Sequence, residues 1–170
     1  MSSSLFADMY IDYGESPANY IEYNEGEKTF GELKSNDIVY LYNYTYDILE
    51  ITINGSLKYK DGKVTIRTKP FKVDPNNKYC IPQSSIEFGP NSSSAFGNGH
   101  AYHPEKVKDC SICASWKGGW AVGTNRETVL KYAKSDIINF INEKQNNIKN
   151  LQKEIEILTN KLEVLKEEQQ

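Results

Sequence analysis

The chain has 170 residues, 38% of them hydrophobic and 25% charged, with a formal net charge of −3. That is enough apolar material for one core of roughly 100 to 150 residues with an appendage, and it excludes a protein whose overall charge alone selects its partner. No stretch approaches the roughly 20 apolar residues of a membrane span, and the opening MSSSLFADMY lacks the basic start and apolar run of a signal peptide, so a cytoplasmic protein with no membrane partner is expected.

Charge is unevenly spread along the chain. Residues 1–50 carry ten acidic and two basic side chains, residues 51–124 carry five acidic and ten basic, and the remainder balances at eight each. Only the middle segment therefore favours an anionic partner. Twelve tyrosines tilt the folded part toward β structure, since tyrosine suits half-buried pleated surfaces.

Residues 1–28 form an acidic, tyrosine-rich segment broken by Gly14, Pro17 and Gly26, with room for one or two short strands. Residues 29–123 predict an antiparallel β-barrel. Its first strand is Ile38 to Tyr44, β-branched and aromatic, and its second is Ile48 to Asn54, where apolar and polar residues alternate. The clearest element is the hairpin Ser56 to Arg67. Asp61-Gly62 is a favoured pair for a two-residue type I′ turn, which pairs Lys60 with Lys63, Tyr59 with Val64 and Lys58 with Thr65. Leu57, Tyr59, Val64 and Ile66 then share one face and the lysines the other. Residues 83–118 show neither period and are rich in Ser, Gly and Pro, which predicts a long irregular loop. Trp120-Ala121-Val122 would close the barrel as its last strand.

A helix is predicted over residues 124–170. Thr124-Asn125-Arg126-Glu127 reads as a capping box, and no Gly or Pro follows to stop it. Ile148, Leu151, Ile155, Leu158, Leu162 and Leu165 recur at spacings of three and four, the seam of a coiled coil from about residue 145. Such a seam calls for a second copy of the chain, giving a homo-oligomer; the alternative is a helix folded back on its own barrel. A parallel pair would set Lys161 against Lys166 of the second copy.

Two side-chain groups carry candidate chemistry. Lys58, Lys60, Lys63, Arg67 and Lys69, with the ring of Phe71, resemble in kind the basic and aromatic surfaces on which small barrels hold nucleic acid or nucleotides. Lysines on an exposed strand also serve simply to block edge pairing. His100, His103, Cys110 and Cys113 supply the donors of a structural zinc site that would order the long loop; the alternative is two exposed imidazoles and two buried thiols. No Gly-rich phosphate loop, Gly-x-Ser-x-Gly or paired-carboxylate motif is present, which argues against an enzyme.

The run Thr29-Phe30-Gly31-Glu32-Leu33-Lys34-Ser35-Asn36-Asp37-Ile38-Val39-Tyr40 resembles the opening of small SH3-like barrels found in phage-type proteins, with Asn36 in place of their glycine. Gly119 to Glu127 resembles their passage from last strand to helix. The resemblance implies an α+β protein, an SH3-like barrel followed by a coiled-coil helix, acting as an accessory protein that binds rather than catalyses. Inhibitors of host defence that sequester nucleotide signals or nucleic acid, and others that dock a host protein, are of this sort. Two functions are accordingly expected: an oligomeric binder of an anionic ligand, or an adaptor for a protein partner. Zinc-dependent hydrolysis would need the His/Cys cluster to keep an open position.

Overall fold

The computed structural model describes residues 19–43, 47–88, 104–115 and 119–169. The chain is α+β and divides between Asp136 and Ile137 into two compact units.

In the first unit the described strands form two antiparallel sheets. Strands β1 (Asn19–Glu22), β2 (Ile38–Asn43), β3 (Leu49–Thr52), β7 (Ile112–Ser115) and β8 (Trp120–Gly123) make a five-stranded sheet in the order β1-β7-β8-β2-β3. Strands β4 (Lys58–Lys60), β5 (Lys63–Phe71) and β6 (Gln83–Phe88) make a three-stranded sheet in that order. A bridge between Ile53 and Thr68, with the Asn54 N–H donating to the Arg67 carbonyl at 2.8 Å, ties the two together.

Period-2 alternation sorts the five-stranded sheet into two apolar faces. Val39, Leu41, Cys113, Trp120 and Val122 turn toward Val64, Ile66, Ile86 and Phe88 of the other sheet, and this shared core is completed by Phe30, Leu33 and Val107. Phe88 stands at its centre, with Phe30 edge-on at 6.3 Å and Trp120 at 6.1 Å between ring centroids. The opposite face, with Tyr42, Ile112, Ala114 and Ala121, is covered by Val129, Tyr132 and Ala133 of the C-terminal helix (Arg126–Glu168). Those helical positions recur at three and four residues, the spacing of a single face.

The sheets differ from the expected barrel in that they do not close. The stretch Ile112–Ser115, expected within the irregular loop, is a strand that inserts between β1 and β8. Trp120–Gly123 therefore lies inside the five-stranded sheet, between β7 and β2, instead of sealing an edge. The same expected loop also holds β6 and a 3-10 helix at Pro104–Asp109. Its residues 89–103 and 116–118 lie outside the described residues, as do residues 1–18 of the N-terminal segment.

The helix start is displaced by one residue from the expected cap. Asn125 Oδ1 accepts the Thr128 N–H at 3.2 Å and so caps the helix, while the Thr124 hydroxyl donates to the Lys28 carbonyl. Thr124 thereby holds the helix entry to the loop before the first 3-10 turn, Phe30–Glu32.

Beyond Asp136 the helix continues to Glu168, and residues 141–169 are exposed on every side. Among the described residues no helix is long and apolar enough to cross a membrane.

Candidate functional site

The Asp61-Gly62 turn decides where the basic residues go. Asp61 has φ 55 and Gly62 φ 75, the left-handed pair a type I′ turn requires. Lys58 faces Thr65, Tyr59 faces Val64 and Lys60 faces Lys63, the register expected from sequence. Residues paired across an antiparallel ladder share a face, so Lys58, Lys60, Lys63 and Thr65 stand together. Along β5 the buried residues are Val64, Ile66 and Thr68, which leaves Arg67 exposed on the same side as Lys63; Lys69 is exposed beyond it, where the β5–β6 register shifts between Arg67 and Phe71.

Strand β6 completes this surface. Glu87 lies opposite Thr65 and Ser85 opposite Arg67, while Ile86 and Phe88 point into the core. Glu87 Oε1 approaches Lys63 Nζ at 3.6 Å. The face thus presents four cations, Lys58, Lys60, Lys63 and Arg67, against one carboxylate, with the hydroxyls of Thr65 and Ser85 between them and Lys69 exposed at its end. Ser85 and Glu87 escaped the sequence reading because β6 falls in the Ser- and Pro-rich stretch; the signal that could have found them is the alternation Ser85, Ile86, Glu87, Phe88.

The aromatic side chains are placed differently. Phe71 is half-buried, packs against the shared core and pairs with Gln83 past the register shift in β5. Tyr59 is 51% exposed, but its register puts it on the face opposite the lysines. Cation chemistry is what this surface offers.

Cys110 and Cys113 both belong to the shared core. Burial, reinforced by the neighbouring Asp109, pushes the Cys110 thiol up to about 11, and burial with the nearby Cys110 pushes Cys113 well above the ordinary thiol range. Both therefore favour the neutral thiol. His100 and His103 lie outside the described residues, and among the described residues no three His, Cys, Asp or Glu side chains gather. The described residues by themselves do not compose a zinc site.

Two carboxylates are held by tyrosines. The Tyr42 hydroxyl donates to Asp136 Oδ2 at 2.8 Å and the Tyr132 hydroxyl to Glu22 Oε2 at 2.9 Å. Burial raises the pKa of both carboxyls, and the tyrosine bonds offset part of that rise. Each bond joins the helix to a different strand, Tyr42 on β2 and Glu22 on β1, which is a structural use of the pair.

An open hollow of about 470 Å³ lies between the two 3-10 helices, lined by Tyr23, Thr29, Gly31, Glu32, Lys108 and Asp109. Its charges are of both signs. Gly31 is required there by close approach: a Cβ would stand 2.7 Å from the Lys108 carbonyl oxygen.

No family model, curated protein or solved structure matches this chain.

Proposed function

We propose that this is a non-catalytic binding protein whose three-stranded sheet takes an extended polyanion, nucleic acid before a single nucleotide, across its basic face. The observation that carries this reading is the β4–β5 register, which sets Lys58, Lys60 and Lys63 on one face that Arg67 continues along β5, with Lys69 exposed beyond it. From Lys63 to Arg67 a strand rises roughly 13 Å, about the length of four stacked nucleotides at 3.4 Å each. A flat row of cations suits phosphates along a strand, whereas a lone nucleotide calls for an enclosing pocket. The resemblance of Thr29 to Tyr40 to phage-type SH3-like proteins supports an accessory role, with counter-defence by sequestration as its setting.

Calorimetry or fluorescence titration with a single-stranded oligonucleotide tests this. With about four cations available to phosphates, log K should fall against log salt with a slope of about −3. Lys60→Glu with Arg67→Glu should reduce both the affinity and the slope while leaving the thermal transition in place, because neither side chain enters the core. No binding at low salt, together with a co-purifying protein partner, would favour the adaptor reading and remove this one.

A further inference from the structure

We infer that the exposed apolar stripe of the C-terminal helix pairs with the same stripe of a second copy of this chain, and that the two helices run antiparallel. This pairing is independent of the basic face: it uses other residues and other chemistry.

Ile148, Leu151, Ile155, Leu158, Leu162 and Leu165 are between 49% and 64% exposed, and they form one face of a helix that is uncovered along residues 141–169. In heptad terms Ile148, Ile155 and Leu162 are a positions and Leu151, Leu158 and Leu165 are d positions. The next d position toward the N-terminus is Lys144, and the residues flanking the seam are Glu154 and Lys161 at g with Gln152, Thr159 and Lys166 at e.

These flanking residues decide the direction. In a parallel pair Lys144 would meet Lys144 of the second copy inside the seam, and Lys161 would meet its Lys166, so like charges oppose at two levels of the pair. In the antiparallel pair with Ile155 opposite Leu158 of the second copy, Leu151 meets its Leu162 and Ile148 its Leu165. Every layer of the seam is then apolar. Antiparallel helices bring g beside g, so Glu154 lies beside Lys161 of the second copy, and by symmetry its Glu154 lies beside Lys161. Gln152 falls beside Thr159, which are both neutral. Lys144 comes opposite Gln169 of the second copy, at the end of its helix, where the ammonium reaches water along its own stem. The antiparallel register has two attractive pairs and no repulsive one.

Lys161→Glu separates the two directions by sign. In the antiparallel pair it sets the new carboxylate against Glu154 twice, and the dimer dissociation constant from sedimentation equilibrium at low salt should rise on the order of tenfold. In a parallel pair it would turn a Lys–Lys contact into Glu–Lys and tighten association. The reciprocal double variant Glu154→Lys with Lys161→Glu should return the antiparallel dimer to within about twofold of the original. Spin labels at Asn146→Cys, in a Cys80→Ser background where the two remaining thiols are buried, read the geometry directly. At 1.5 Å per residue the labels should lie about 30 to 35 Å apart in the antiparallel pair. A single-chain mass at all concentrations, tighter association of the Lys161→Glu variant, or a label distance under about 20 Å would overturn the inference. All substituted positions on the helix are exposed, so loss of folding does not confuse the readings.

Discussion

Asn36 adopts φ 77, a conformation that side chains with a Cβ rarely take. Its N–H donates to the Ile53 carbonyl at 2.9 Å, and the next residue, Asp37, accepts from the Lys34 N–H and from Lys28 Nζ, at 3.0 and 3.1 Å. Phe30 and Leu33 of the same run are core residues. The turn before Ile38 was legible because Asn36 and Asp37 each have a local reason for their place in it. The Tyr42–Asp136 bond was not, because it joins residues that only the fold brings together. Its carboxyl gives a pH prediction. Burial raises Asp136 above its ordinary 3.8 and Glu22 above 4.5, so the folded state binds those protons more tightly than the unfolded chain. Their effect is a loss of stability as pH rises from those ordinary values through the raised ones. Asp37 runs the other way: its hydrogen bonds lower its pKa, so its stabilisation is present above 3.8 and lost below. Thermal melts across this range should show a declining limb on the alkaline side that Asp136→Asn flattens; an unchanged limb would remove Asp136 as its source. At Gly31 the expectation is steric. Gly31→Ala should destabilise by roughly 1–3 kcal/mol in denaturant titration, because a backbone carbonyl occupies the space the methyl needs.

At the level of elements, the hairpin was readable from Asp61-Gly62 and the alternation around it, since a two-residue turn leaves only one register. Strands β6 and β7 were not. Strand β6 opens on Gln-Ser-Ser within a Ser- and Pro-rich stretch and β7 has only four residues, and β7 pairs on both sides with β1 and β8. The helix was evident from its period, yet its cap was misplaced by one residue because Thr124 and Asn125 are both good capping residues and only the fold commits Thr124 to the Lys28 carbonyl. Strand β6 carries the element-scale prediction. Glu87 neutralises part of the basic face through Lys63, so Glu87→Gln should tighten oligonucleotide binding about two- to fivefold at low salt and make the salt slope steeper by nearly one phosphate's worth. Equal affinity for the two proteins would place Lys63 outside the contact.

At the scale of the molecule, the division between Asp136 and Ile137 makes the folded body and the exposed stripe separable. A chain ending at Asn146 should melt cooperatively and scatter light as a single chain, since the buried helical residues lie at or before Asp136 and the apolar seam lies beyond Asn146. A larger mass would place self-association in the β body. The order of strands also has a temporal consequence. Strands β4, β5 and β6 are consecutive in sequence, with two residues between β4 and β5 and eleven between β5 and β6, but β2 pairs Tyr40 with Gly123 and β1 pairs Glu22 with Ile112. Long closures of that kind are slow, because chain entropy is lost before contacts repay it. On a ribosome, the β2–β3 pair has both its strands once Thr52 has emerged and the small sheet has all of its own once Phe88 has, while β1 and the other edge of β2 wait for Ile112–Ser115 and Trp120–Gly123. The surface that we propose binds phosphates therefore has its strands before the five-stranded sheet is complete, and the segment that holds the two ends of the body together arrives last.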